Sequence, residues 1–93
     1  MNNVISITGD FTTEKALEWK EKLNALAVNS DSLKIDLTEV SDADIVGVNA
    51  LVSSHKVLSD KNGQLQIVLK KGSRMAEMLH LTKFTAIFKT TEI

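Results

Sequence analysis

The chain has 93 residues, a net charge of −1, 43% hydrophobic and 25% charged residues, and no cysteine. This length and composition predict one globular domain spanning residues 1–93. The balanced charge argues against nucleic acid as a partner, the missing cysteines exclude disulfides and thiolate metal ligands, and two histidines are too few for a histidine metal site.

The first half of the chain alternates between strand and helix patterns. Val4, Ile5 and Ile7 predict a short strand that stops at Gly9-Asp10. Thr12 or Thr13 can cap the helix that follows. The apolar arc of that helix consists of Ala16, Trp19, Leu23, Leu26 and Ala27. After a break at residues 29–31, apolar and polar residues alternate over 33–37, which predicts a strand with one buried face.

The second half repeats this pattern. A helix is predicted from about Asp44 to about Asp60, and a strand over residues 65–69. A third helix opens at Gly72-Ser73 and closes at Phe84, and a last short strand covers residues 86–89. The order βαβαβαβ predicts an α/β fold with a mainly parallel sheet of four to five strands. Because the strands alternate instead of being apolar throughout, we expect the helices mostly on one face.

The second helix is apolar on two sides. Its core side is predicted to consist of Ile45, Val48, Leu51, Val52, His55 and Leu58. We expect His55 to be partly buried and hydrogen-bonded. The opposite side carries Val46, Ala50 and Val57, flanked by Ser53 and Ser54. We predict that this second stripe is exposed and forms an interface. The alternative is a scatter of single exposed apolar residues, which are common on protein surfaces.

Four segments resemble the STAS domain, which is found in bacterial anti-sigma factor antagonists and in the cytoplasmic tails of sulphate transporters. The family's pattern is a strand, Asp-Leu-x-x-(apolar), three residues, and Asp-Ser-Ser-Gly-Leu-Gly at the start of a helix. This chain has Asp36-Leu37, Val40 and then residues 44–49, DIVGVN, without a gap. Residues 7–11, 63–67 and 84–88 are similar to three further family motifs, so the resemblance covers nearly the whole chain.

The chain departs from the family at the phosphorylated serines. In the antagonists a kinase phosphorylates a serine or threonine of Asp-Ser-Ser-Gly, at the N-terminus of a helix. The matching positions are Ile45 and Val46, whose side chains carry no oxygen. Asp44 is predicted to cap this helix. We expect Gly47 to allow the close approach of a loop or partner.

The resemblance implies a non-catalytic module that binds a partner protein through the loop before the second helix and through that helix. The partner-binding residues predicted on this basis are Ser41, Asp42, Asp44, Val46, Gly47, Ala50, Ser53 and Val57. The partner implied is an anti-sigma or other signalling kinase, or a transport ATPase to which the chain is an accessory subunit. Alternatives are a sensor of nucleotides or lipids and a homodimer built on the apolar stripe.

An enzyme is not expected, because no nucleophile is paired with a base and no two carboxylates are placed for acid–base work. No phosphate-binding loop or dinucleotide fingerprint occurs, so we predict no cofactor. The first residues lack the pattern of a secretory signal, and no stretch approaches the roughly eighteen apolar residues that span a bilayer. We therefore predict a cytoplasmic protein without membrane insertion.

Overall fold

The computed structural model describes residues 2–93, and the side chains of residues 4–93. Four strands and three helices alternate along the chain, as predicted. Their bounds are β1 Asn2–Phe11, α1 Thr13–Val28, β2 Ser32–Ala43, α2 Ile45–Ser59, β3 Gln64–Leu69, α3 Arg74–Thr82 and β4 Lys89–Glu92. A single 3-10 turn, Phe84–Ala86, lies between α3 and β4.

The four strands form one parallel sheet in the order β1-β2-β3-β4. Connections between parallel strands are almost always right-handed, and in this strand order that rule places the three helices on the same face. The burial of the side chains agrees with this: Ile35 and Ile67 are fully buried under the helices, whereas Val4 and Lys34, on the opposite face, are exposed. The predicted α/β class and the one-sided helix layer are therefore confirmed.

Strand β2 is longer than the sequence predicts, because it contains two irregularities. Along β1 the chain advances two residues from Ser6 to Thr8, while β2 advances three, from Asp36 to Glu39. A second extra residue of β2 lies between Val40 and Asp42. At the first irregularity Asp36 Oδ1 accepts hydrogen bonds from Thr38 N (2.9 Å) and Thr38 Oγ1 (2.6 Å). These bulges carry the strand onwards through the segment expected to be a loop.

The end of the chain differs from the prediction. Residues 86–89 were expected to form the last strand, but α3 ends at Thr82, Lys83 caps it with a φ of +63°, and the 3-10 turn follows. Strand β4 begins only at Lys89, in register with Gln66 of β3. Phe88, one residue before β4, is buried and packs edge-on against His55 of α2 at a centroid distance of 5.4 Å. Phe88 therefore closes the core beneath α2.

Candidate protein-interaction site

The carboxylate of Asp44 lies between the N-termini of α1 and α2. Its Oδ1 accepts hydrogen bonds from Val46 N (3.0 Å) and Gly47 N (3.3 Å), so Asp44 caps α2 as predicted. Its Oδ2 accepts the backbone N–H and the hydroxyl of Thr13, at 3.1 and 3.0 Å. Thr12 stands at the cap position of α1, but its side chain makes no capping hydrogen bond. One carboxylate therefore serves two helices.

The hydrogen bonds to Asp44 also favour the ionised form of its carboxyl group. Burial alone would raise the pKa of the Asp44 carboxyl, but the hydrogen bonds from Thr13, Gly47 and Val46 outweigh it, so this pKa lies below its ordinary value. The unpaired N–H groups of a helix N-terminus favour negative charge. At this end of α2 the protein supplies that charge itself.

Gly47 is required by the close approach of Phe11, the last residue of β1. A Cβ atom at this position would lie 2.6 Å from the carbonyl oxygen of Phe11 and 2.8 Å from its Cδ2. Phe11 is fully buried, so its ring has little freedom to move away. Gly47 thus allows the close approach of the end of β1, whereas the sequence suggested a loop or a partner. Gly47 is itself buried.

The prediction of an exposed apolar stripe on α2 is wrong. Ala50 is 0% exposed, and Val46 and Val57 are half-buried and pack against the core. Helix α1 covers this side of α2: Asn24 Oδ1 of α1 accepts a hydrogen bond from Ser53 Oγ at 3.2 Å. The two-sided apolar pattern of α2 is explained because one side packs on the sheet and the other on α1. The homodimer expected on this stripe therefore loses the exposed apolar surface on which it was based.

The solvent-facing side of α2 is not the stripe that the sequence suggested. Ile45 was expected in the core but is 49% exposed, and Asn49 and Lys56 are also exposed. These residues are four and seven positions apart, so they follow one face of the helix. The reason for the difference is that contact with α1 turns the buried arc of α2 towards Ala50 and Ser54, and away from Ile45.

Ser41 and Asp42 are exposed beside the start of α2, but they belong to the end of β2 and not to a loop. Ser41 Oγ donates a hydrogen bond to Asp10 Oδ1 at 3.2 Å. Sequence reasoning missed Asp10 and Thr13, which reach this site from β1 and α1. An acidic residue at the end of β1 and a threonine at the start of α1 were the available signals, but only the parallel pairing of β1 with β2 brings Asp10 to Ser41 and Thr13 to Asp44.

His55 is half-buried, as predicted, but its Nδ1 is buried without a hydrogen-bond partner. The expected hydrogen bond of this atom is absent from the residues that the structure describes. No group of three histidine or acidic side chains could hold a metal ion within residues 2–93. In the same range, no helix has both the length and the apolar character needed to cross a membrane.

The geometry defines a small α/β domain with a surface at the start of α2. The family model of the STAS domain matches residues 2–92. The chain therefore belongs to the STAS domain family, whose members are generally non-catalytic and typically mediate interactions between proteins. A search of curated proteins found none that matches this chain.

Proposed function

We propose that this STAS domain is a regulatory module that docks a partner protein through the surface formed by Ser41, Asp42, Ile45 and Asn49, here called the α2 docking surface. The observation that carries this proposal is Ile45, a large apolar side chain 49% exposed at the first position of α2. Asp44 caps this helix N-terminus, so the backbone that carries Ile45 is held in place.

The docking surface is not switched by phosphorylation at the family's usual positions. Ile45 and Val46 have no oxygen to phosphorylate. The backbone N–H groups of Val46 and Gly47, which could bind a phosphate at a helix N-terminus, already donate to Asp44. A second anion there would meet the Asp44 carboxylate at short range. The partner's own state or abundance would then control the complex.

The chemistry of the α2 docking surface indicates what the partner offers. The side chain of Ile45 would fit an apolar pocket of the partner. The neighbouring carboxylates of Asp42 and Asp10 would pair with basic side chains at the rim of that pocket. Within the family's range of partners, a signalling kinase of the anti-sigma type and a transport ATPase both remain candidates. The action proposed here is binding without catalysis, in the cytoplasm.

A sensor of small ligands has less support. The strand order never reverses, so the described sheet has no crevice of the kind in which open α/β sheets bind ligands. A depression of about 250 Å³ lies on the opposite face, beside Val4, Lys34 and Gln66. Its volume is below the range of about 300–1,000 Å³ typical of ligand pockets.

The test is capture of partners from a lysate of the protein's own cells with tagged wild type, Ile45→Asp and Val28→Asp. Val28 is the matched control, because it is 64% exposed but lies at the far end of α1. Ile45→Asp should lose a partner that Val28→Asp retains, with both variants melting within a few degrees of wild type. Retention of every partner by Ile45→Asp would refute the α2 docking surface.

A further inference from the structure

The two edges of the sheet differ in how they are protected against pairing with other strands. Strand β4 is four residues long and carries Lys89 and Glu92. Strand β1 is ten residues long, and from Asn2 to Gly9 it contains no charged residue and no proline. Natural proteins protect edge strands by making them short, charged, proline-containing or bulged. Over most of its length β1 has none of the first three protections.

The fourth protection, a bulge, is also absent from β1 itself. Both irregularities of the β1–β2 pair place the extra residue in β2, the inner strand. The backbone of β1 therefore continues as a regular edge as far as Thr8, and Gly9, with a φ of +73°, interrupts it. Within residues 2–93 no strand pairs with its outer side. Every second residue of such an edge directs its N–H and C=O groups away from the sheet. These groups can accept the backbone of another strand.

We propose that β1 pairs with β1 of a second copy of this chain, antiparallel across a two-fold axis perpendicular to the sheet. Like charges directly opposite each other destabilise a strand pair, and a two-fold axis brings a strand against itself. The uncharged run Asn2–Gly9 meets this requirement, and the first charge of β1 comes only at Asp10. Two copies of β1 can therefore pair without placing like charges opposite each other.

The side chains of β1 gain neighbours in this arrangement. If the axis passes through Ile5, Val4 of one copy lies opposite Ser6 of the other on the helix-free face. Val4 is 65% exposed in the single chain, so a cross-strand neighbour would cover apolar surface. The axis keeps both helix layers on the same side of an eight-stranded sheet. The α2 docking surface, at the far end of β1, stays accessible in both copies, so the dimer presents it twice.

Sedimentation velocity of the chain from about 10 µM to about 1 mM tests this proposal. The wild type should change from monomer to a species of twice the mass within this range. The double variant Val4→Lys, Ser6→Lys places charges on two exposed positions of β1 and should weaken dimerisation more than tenfold. The control is Thr91→Lys, an exposed position of β4, which should dimerise as the wild type does.

A wild type that stays monomeric throughout the range would overturn the proposal, and so would a dimer that persists in the double variant. If the double variant unfolds, hydrogen exchange of the wild type decides instead. The amides of β1 should then exchange more slowly at high concentration, while those of β4 are unchanged. Equal protection of β1 at both concentrations would refute the dimer. Neither readout depends on partner capture through Ile45.

Discussion

Asp44 Oδ2 accepts both the backbone N–H and the hydroxyl of Thr13, which lies 31 positions earlier in the chain. Thr13 is the first residue of α1 and has a φ of +34°, a conformation that costs a β-branched residue about 1–3 kcal/mol. The two hydrogen bonds hold Thr13 in this conformation. Asp44 thereby fixes the relative position of the starts of α1 and α2.

Asp44→Ala should lower the free energy of unfolding by about 1–2 kcal/mol. The change removes a helix cap, worth about 1 kcal/mol, and also two hydrogen bonds from Thr13, which is exposed, so that water can take the place of the carboxylate. The control is Asp42→Ala, because Asp42 is exposed and its carboxylate accepts from the adjacent Ala43 N. Urea denaturation of both variants measures the difference. Equal losses would show that the contact between the two helix starts contributes little.

The stability of the chain should fall in acid. Hydrogen bonds from the side chain and backbone of Thr38 lower the pKa of Asp36, and those from Thr13, Gly47 and Val46 lower that of Asp44 against the effect of burial. A carboxyl with a lowered pKa in the folded state stabilises it fully above its unfolded pKa of about 3.9. This stabilisation is lost as the pH falls through the folded pKa.

Asp44→Asn measures how much of this loss of stability in acid comes from the carboxyl of Asp44. The amide does not titrate, so the variant should lose less free energy of unfolding than the wild type between about pH 6 and about pH 3. At about pH 6 the variant should be the less stable protein, because an amide oxygen accepts hydrogen bonds less strongly than a carboxylate. Urea denaturation at both pH values gives the comparison. Parallel losses in the two proteins would contradict the assignment.

Gly47→Ala should destabilise the fold although alanine favours helices. The new Cβ would lie 2.6 Å from the carbonyl oxygen of Phe11, so the backbone of one element must shift, at about 1–3 kcal/mol. Asn49→Ala, at an exposed position of the same helix, should be neutral or stabilising by a few tenths of a kcal/mol. Thermal unfolding monitored by circular dichroism measures both. An unchanged melting temperature for Gly47→Ala would mean that the end of β1 at Phe11 moves away at little cost.

Protein isolated from its own cells should carry no phosphate on residues 41–49. Ile45 and Val46 have no hydroxyl, and Ser41, the remaining hydroxyl of this segment, donates to Asp10. A phosphate on Ser41 would lie beside that carboxylate and repel it. Intact-mass spectrometry followed by peptide mapping tests this expectation. A stoichiometric phosphoform at Ser41 would contradict this proposal. It would show that phosphorylation acts on this surface at a position other than the family's usual ones.

The order of the elements could be predicted from the sequence, because apolar and polar residues alternate in β1, β2 and β3, and α2 and α3 have a capping side chain before them, Asp44 and Ser73. The length of β2 could not be predicted, since its bulge depends on the local bonds between Asp36 and Thr38. The packing of α1 on Ala50 was missed for another reason. A helical wheel identifies apolar sides of one helix but not which neighbouring element covers each side.

The sequential order of the strands has a consequence for folding during translation. Each strand pairs with the strand that precedes it in the chain, and no later strand has to insert between two earlier ones. Growth of the sheet can therefore follow translation, with each newly emerged strand and helix adding to structure already in place. The last addition is β4, so a nascent chain can assemble most of its interior before synthesis is finished.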